Sequence, residues 1–222
     1  MTQLQCGAWN LRVGKVPPRR VRRLLRKQKL DVLCTSETHP RAPQLRTKLA
    51  ASQWRVHIAD PADPSARDST IITRRQLAVG PGHVLRLEKK GWERKPGRPG
   101  LHWPRSAYTI RVVGIQYVAV HLPPGPFGAK YPLRKKANLT SLETLTTQAL
   151  LWNKANVPWV MAGDWNRQPS DPEVKAFAKA TGCLVTGRGI DWVAHRGCKV
   201  TGYRKLSFRG SDHKPIVFTV SM

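Results

Sequence analysis

The sequence predicts an α/β fold in which two blocks of strands are flanked by helices. Three observations carry that expectation. A strand, a helix and a second strand succeed one another within the first 36 residues, short strands separated by turn residues fill the middle, and strands interleaved with amphipathic helices return towards the C-terminus. At 222 residues the chain is long enough for a sizeable core and is expected to form one domain over 1–222.

Leu4 to Leu11 reads as the first strand, with Asn10 near its end. Pro17 and Pro18 start a helix to about Lys29. Val21, Leu24 and Leu25 line one face, while Arg19, Arg20, Arg22, Arg23, Arg26 and Lys27 cover the other, where they serve either solvation or a phosphate backbone. Asp31 to Thr35 is a second buried strand running into Ser36, Glu37, Thr38, His39 and Pro40, so this first unit is a crossover with its loops at one sheet edge. A helix follows over Pro43 to Ala51, a strand over Trp54 to Ala59 and a polar loop over Asp60 to Arg67. Ser69 to Thr73, Leu77 to Gly80 and Val84 to Leu87 read as successive strands of an antiparallel meander.

Lys89 to Arg105 is too rich in Gly and Pro for regular structure, yet it holds six cationic side chains beside Trp92 and Trp103. Ser106 to Val113 and Ile115 to His121 form a hairpin about Gly114. A long helix runs from about Leu133 to Lys154, with Leu139, Leu142, Leu145, Ala149 and Trp152 inward. Trp159 to Ala162 looks like a strand buried on both faces. A helix from Asp171 and Pro172 to about Ala180, strands near Cys183 to Thr186 and Ile190 to Ala194, and a last strand ending at Val220 complete the chain.

Charge is the strongest global signal, with 39 Lys and Arg against 13 Asp and Glu, a formal +26. A chain so charged repels itself, and a polyanion relieves the repulsion; nucleic acid is the first candidate and an anionic membrane surface the second. No apolar run approaches the ~20 residues that span a bilayer. The N-terminus lacks a charged lead followed by an apolar stretch, so a soluble cytoplasmic protein is expected; a monomer is expected as well. Cys6, Cys34, Cys183 and Cys198 form no CxxC pair and suggest buried thiols, with a bridge between Cys183 and Cys198 left open.

The strongest local signal is Val157 to Ser170, Val-Pro-Trp-Val-Met-Ala-Gly-Asp-Trp-Asn-Arg-Gln-Pro-Ser. Asp164 and Asn166 are two apart, so on an extended segment both face one side and can converge on a hard cation or a phosphate; an Asx turn accounts for the same pair. Glu37 lies just past a strand at the same kind of position, and His121 caps the hairpin's second arm. Asp191 sits between Ile190 and Trp192 and needs a partner. Asp212 and His213 precede the last strand, where an acid and an imidazole can supply a ligand or orienter and a proton acceptor. Asn10, Glu37, His121, Asp164, Asn166, Asp191, Asp212 and His213 thus all fall at or beside strand ends.

The ordered series Trp-Asn-Leu-Arg, Ser-Glu-Thr-His, Ala-Val-His-Leu, Ala-Gly-Asp-Trp-Asn, Gly-Ile-Asp-Trp-Val and Gly-Ser-Asp-His-Lys-Pro, from residue 9 to residue 215, resembles the endonuclease/exonuclease/phosphatase superfamily with its deoxyribonuclease-I-like fold. The resemblance implies a four-layer α/β/β/α sandwich of two mixed sheets and phosphoester hydrolysis with magnesium or manganese. By position Glu37 resembles the main metal ligand, helped by Asn10 and Asp212. Asp191 resembles the acid that orients His213 as general base. Asp164 and Asn166 resemble the pair that positions nucleophile and phosphate, and His121 the general acid or the hydrogen-bond donor to the phosphoryl oxygen.

In the deoxyribonuclease-like branch that histidine has an acidic partner on a neighbouring strand, and Arg105-Ser106-Ala107 offers none. The favoured activity is endonucleolytic cleavage of DNA, with RNA as an open substrate. Arg12, Trp92, Arg94, Lys95, Arg98, Trp103, Arg105, Lys130, Arg167 and Arg209 are the expected nucleic-acid contacts. A phosphoinositide phosphatase or sphingomyelinase of the same fold, or a non-catalytic nucleic-acid-binding module, are the competing readings.

Overall fold

Side chains alternate along the strands, and on the inner strands both sides of the alternation are apolar, which places those strands between two covered faces. On β1 (Gln3–Asn10) Leu4, Cys6 and Ala8 point one way and Trp9 the other. On β8 (Trp159–Asp164) Val160 and Ala162 oppose Trp159 and Met161. The computed structural model describes residues 2–38, 42–58, 68–88, 105–124, 132–207 and 210–222.

Two six-stranded mixed sheets result. The first has the order β11 (Lys199–Lys205), β12 (Ile216–Ser221), β1, β2 (Val32–Ser36), β4 (Ser69–Arg74), β3 (Trp54–Ile58). The second has the order β5 (Val79–Arg86), β6 (Ser106–Val112), β7 (Ile115–His121), β8, β10 (Asp191–Arg196), β9 (Leu184–Arg188). Cys6, Cys34, Ile71 and Phe218 of the first sheet meet Ile110, Tyr117, Val160 and Val193 of the second in a central apolar layer.

The helices cover the outer faces. Val21, Leu24 and Leu25 of α1 (Pro18–Lys27) and Leu45 and Leu49 of α2 (Ala42–Ala50) pack on Trp9, Leu33 and Ile72. Leu142, Leu145 and Ala149 of α3 (Pro132–Lys154) and Val174 and Phe177 of α4 (Pro172–Thr181) pack on Trp159 and Met161. The architecture is the four-layer α/β/β/α sandwich.

Several sequence expectations change. Leu77 to Gly80 and Val84 to Leu87 are not two strands of a meander after β4: they merge into the single strand β5, whose register shifts between Val79 and Gly82, and it lies in the other sheet. The turn after Arg74 is where the chain crosses between sheets, a step that periodicity does not encode. β11 has no counterpart in the sequence reading, because its edge position exposes most of its side chains and leaves no apolar alternation to see. All four cysteines are free, so Cys183 and Cys198 do not bridge. Cys6 and Cys34 lie in the central layer, where burial pushes Cys34 up to about 12.

Gly163 decides how β8 leaves its sheet. Its φ is 151°, and a Cβ there would stand 2.1 Å from the Val120 carbonyl oxygen of the parallel neighbour β7. Gly163→Ala is expected to cost about 2–4 kcal/mol through clash and backbone strain, read as a lower urea midpoint. An unchanged midpoint would mean that β7 and β8 can part locally at no cost.

Candidate active site

Strand register sets two rows of polar side chains along one rim. In the first sheet Asn10 lies opposite Ser36 and Ser36 opposite Ser69, so Asn10, Glu37 and Asp68 emerge from adjacent strands at one level. Ala8 pairs with Ile216, which brings the loop carrying Asp212 and His213 to the same edge. In the second sheet His121 lies opposite Asp164, and Asp164 opposite Asp191.

Three side-chain hydrogen bonds join the rows across the sheets. Asn10 Nδ2 donates to Asp164 Oδ2 at 3.0 Å, His121 Nδ1 to Asp68 Oδ2 at 2.6 Å, and His213 Nδ1 to Asp191 Oδ1 at 2.9 Å. Asp164 Oδ2 is the focus: His213 Nε2 stands 3.5 Å and His121 Nε2 3.8 Å from it, and Glu37 Oε1 lies 3.5 Å from His121 Nε2. The other oxygen of Asp164 accepts the Asn166 backbone N–H at 3.0 Å. The Asx turn and the inward carboxylate are therefore both present, one on each oxygen. Asn166 Nδ2 donates to the Leu122 carbonyl at 2.8 Å, so that amide braces the adjacent loop.

The supporting structure is specific. Trp9 Nε1 donates to the His213 carbonyl at 3.1 Å and Ser211 Oγ to the Asn10 carbonyl at 2.8 Å, tying the last loop to β1. Trp165 and Trp192, which follow the two acids Asp164 and Asp191, stack with ring centroids 3.9 Å apart at 8°. Lys205 Nζ stands 3.7 Å from the remaining Asp191 oxygen. Arg12, Val13, Glu37 and Asn166 adopt φ of 50–52°, a left-handed conformation uncommon outside glycine and concentrated at this rim.

Burial pushes the Asp164 carboxyl up, although His121 and His213 oppose it. Burial would also raise Asp68, but the Arg105 guanidinium and His121 outweigh it and hold this carboxyl low. Burial lowers His213, yet its hydrogen bond to Asp191 and the charges of Asp164 and Asp191 carry it up to about 9. The acid that Arg105-Ser106-Ala107 lacks is thus Asp68, which reaches His121 from the opposite sheet. Its one sequence signal is an acid directly before the apolar run Ser69 to Thr73.

Asp164, Asp191 and His213 bring ligand atoms within 4.8 Å of one another. Oxygen donors around a carboxylate that burial leaves poorly compensated suit a hard divalent cation. The expected ligands are placed differently from one another. Glu37 faces His121 across the rim. Asn10 Oδ1 accepts the Arg12 N–H at 2.8 Å, so its oxygen is engaged. Asp212 points outward with its side chain 60% exposed and stands 3.7 Å from Arg12 Nε, outside the acidic cluster.

Two of the expected nucleic-acid contacts have their guanidinium groups engaged within the protein. Arg167 is 2% exposed, its guanidinium held by Glu173 at 2.9 Å and by Asn138, because the chain turns inward beneath α3 directly after Asn166. Arg105 pairs with Asp68 and sets the acid behind His121. Arg12 is exposed at the rim. Trp92, Arg94, Lys95, Arg98, Trp103, Lys130 and Arg209 lie outside the described residues.

The Endonuclease/Exonuclease/phosphatase family model matches residues 7–213, and the chain belongs to that family. Members of the family are hydrolases acting on phosphoester bonds and are generally divalent-metal-dependent. Three solved structures share the fold at low identity. An endonuclease/exonuclease/phosphatase from Bacteroides vulgatus has a TM-score of 0.73 and 14% identity, with 100% of each chain covered. The human Nocturnin catalytic domain with bound sulfate has 0.71 and 14%, covering 99% of this chain and 94% of its own. The Bacteroides thetaiotaomicron mannosyl-6-phosphatase has 0.67 and 15%, covering 99% and 100%. No curated protein sequence matches the chain.

Glu88, also missed in the sequence, is 5% exposed behind Arg105; it accepts the Arg105 N–H at 2.6 Å and Ser141 Oγ at 2.7 Å. Burial raises it from 4.5 to about 7. The folded state therefore binds this proton more tightly than the unfolded chain. Ionisation of Glu88 costs stability progressively as pH rises from 4.5 to about 7 and by a constant amount above. Glu88→Gln is expected to gain about 3 kcal/mol on the wild type between pH 4.5 and pH 8. Urea unfolding at both pH values tests this, and a pH-independent difference would contradict it.

Proposed function

We propose that the protein is a one-domain, magnesium- or manganese-dependent phosphodiesterase that cleaves nucleic acid internally, with DNA the first substrate to test. The observation that carries the reading is the convergence of Asn10, His121 and His213 on Asp164 Oδ2, in a chain of formal charge +26.

His213 accepts the proton of the attacking water at Nε2, while Asp191 on Nδ1 fixes the tautomer and stabilises the imidazolium. His121, with Asp68 accepting from Nδ1, directs Nε2 towards the departing or non-bridging oxygen and donates there. Arg105 keeps Asp68 ionised, so His121 retains its orientation. Asp164 and Glu37, with Asp191 beside them, are the oxygen donors that would hold the cation. When bound, the ion would offset the charge of attack and, by its own charge, weaken the proton affinity of His213 so that the imidazole can act as base.

Plasmid nicking with magnesium tests the assignment. Cleavage is expected to stop with chelator, and His213→Ala is expected to lower the rate by about 10²–10⁴-fold. Asp68→Asn, which leaves the cation donors in place, is expected to lower kcat by up to about 10²-fold through misplacement of His121. Full cleavage in chelator or by the His213 variant would sink the mechanism. Faster turnover of a phosphomonoester than of plasmid would replace the nuclease by a phosphatase.

A further inference from the structure

Away from the rim cluster, a cavity of about 620 Å³ lies between α1 and α2. Pro17, Pro18 and Pro43 form apolar wall, and Arg19, Arg22 and Lys48 supply the charge. We propose that this pocket is a second nucleic-acid subsite, seating the sugar-phosphate backbone of the substrate strand several nucleotides from the bond that is cut; it rests on the nuclease reading above.

Helical spacing builds the two walls. Arg19 and Arg22 are three apart on α1, and Gln44 and Lys48 four apart on α2, so each pair forms a stripe on one side of its helix. Among the described residues all charged side chains lining the pocket are cationic, and neither helix has an acid in its first turn. Among the described residues no carboxylate forms an ion pair with Arg19, Arg22 or Lys48. Like charges gathered about one pocket repel, and an anion between them removes that cost. A volume of this size takes a nucleotide-sized group, with the proline rings against a sugar or base and the cations against phosphate.

Its position follows the chain. Pro17 lies seven residues after Asn10, and Pro43 six after Glu37. Backbone bonds from Leu11 N to the Ser36 carbonyl at 2.8 Å and from Gly14 N to the Glu37 carbonyl at 2.7 Å clamp the two leads together. Six extended residues reach about 20 Å at most, which at about 3.4 Å per nucleotide places the pocket within roughly six nucleotides of Glu37. An anionic membrane is the weaker occupant, because none of the exposed large hydrophobics, Val13, Leu133, Leu150, Leu151, Leu184 and Met222, lines the pocket.

The test compares the triple variant Arg19→Ala, Arg22→Ala, Lys48→Ala with a control of equal charge loss, Lys154→Ala, Lys175→Ala, Lys179→Ala, on the helices of the other sheet. Substrates are bis(p-nitrophenyl) phosphate, a four-nucleotide strand and a 20-nucleotide strand. For the 20-nucleotide strand the pocket variant is expected to raise KM at least tenfold beyond the control with kcat within twofold. Its binding should lose about 2–3 from the slope of log K against log salt, one unit or slightly less per lost phosphate contact. The two shorter substrates should be unaffected.

An equal effect in the control, or an equal loss on the shorter substrates, would overturn the proposal. Loss of binding to phosphatidylserine vesicles, with KM for the long strand unchanged, would also overturn it and give the pocket to a lipid surface. If the wild type binds the 20-nucleotide strand without cutting it, the nuclease reading fails while binding constants of the two triples still decide the subsite.

Discussion

Three hydrogen bonds hold the two sheets in register at their polar rim: Asn10 to Asp164, His121 to Asp68 and His213 to Asp191. Each runs from one sheet to the other, so none survives a slide of either sheet. Beneath them the central layer is mostly apolar, and its burial energy, being nondirectional, fixes the alignment less sharply than hydrogen bonds do. The apolar layer supplies the larger share of cohesion, and the polar bonds select one alignment of the layers. That alignment is also the one that assembles the reacting groups, so the constraint that fixes the fold at this edge is the same one that makes the site.

Asp68 and Asp164 show how neighbours divide two equally buried carboxyls into different roles. Both are under 10% exposed, and desolvation pushes both up. A guanidinium and an imidazole pull Asp68 back down, leaving a settled anion whose job is to hold His121. Asp164 has two imidazoles and an amide but also Asp191 nearby, and its charge stays poorly matched. A carboxylate in that state attracts a cation, whereas a matched one does not. Arg105, which lies in none of the motifs that carry the resemblance, is what separates the two cases.

Much of this was legible in the chain. Asn10, Glu37, His121, Asp164, Asp191 and His213 stand at strand ends because an acid, amide or imidazole among apolar residues can be tolerated only where a strand leaves the core. Their mutual placement was not legible, since it depends on strand order and on which sheet each strand joins. Asp68 was missed for that reason: its partner is 53 residues away in the other sheet. Arg167 follows Asn166 and reads as a surface cation, yet it is drawn inward by Asn138 and Glu173 from two different helices. The exposed edge strand β11 carries no alternation, and the merger that forms β5 bridges a Gly-Pro-Gly stretch that looks like a stop.

The thiols of Cys6 and Cys34 sit in the layer between the sheets, and burial holds both in the unreactive protonated form. No fraying of a helix or loop on the outside uncovers them; the sandwich itself has to open. Alkylation of these two positions is therefore a clock for separation of the layers, and the protein carries its own probe for distinguishing a loosened rim from a parted core.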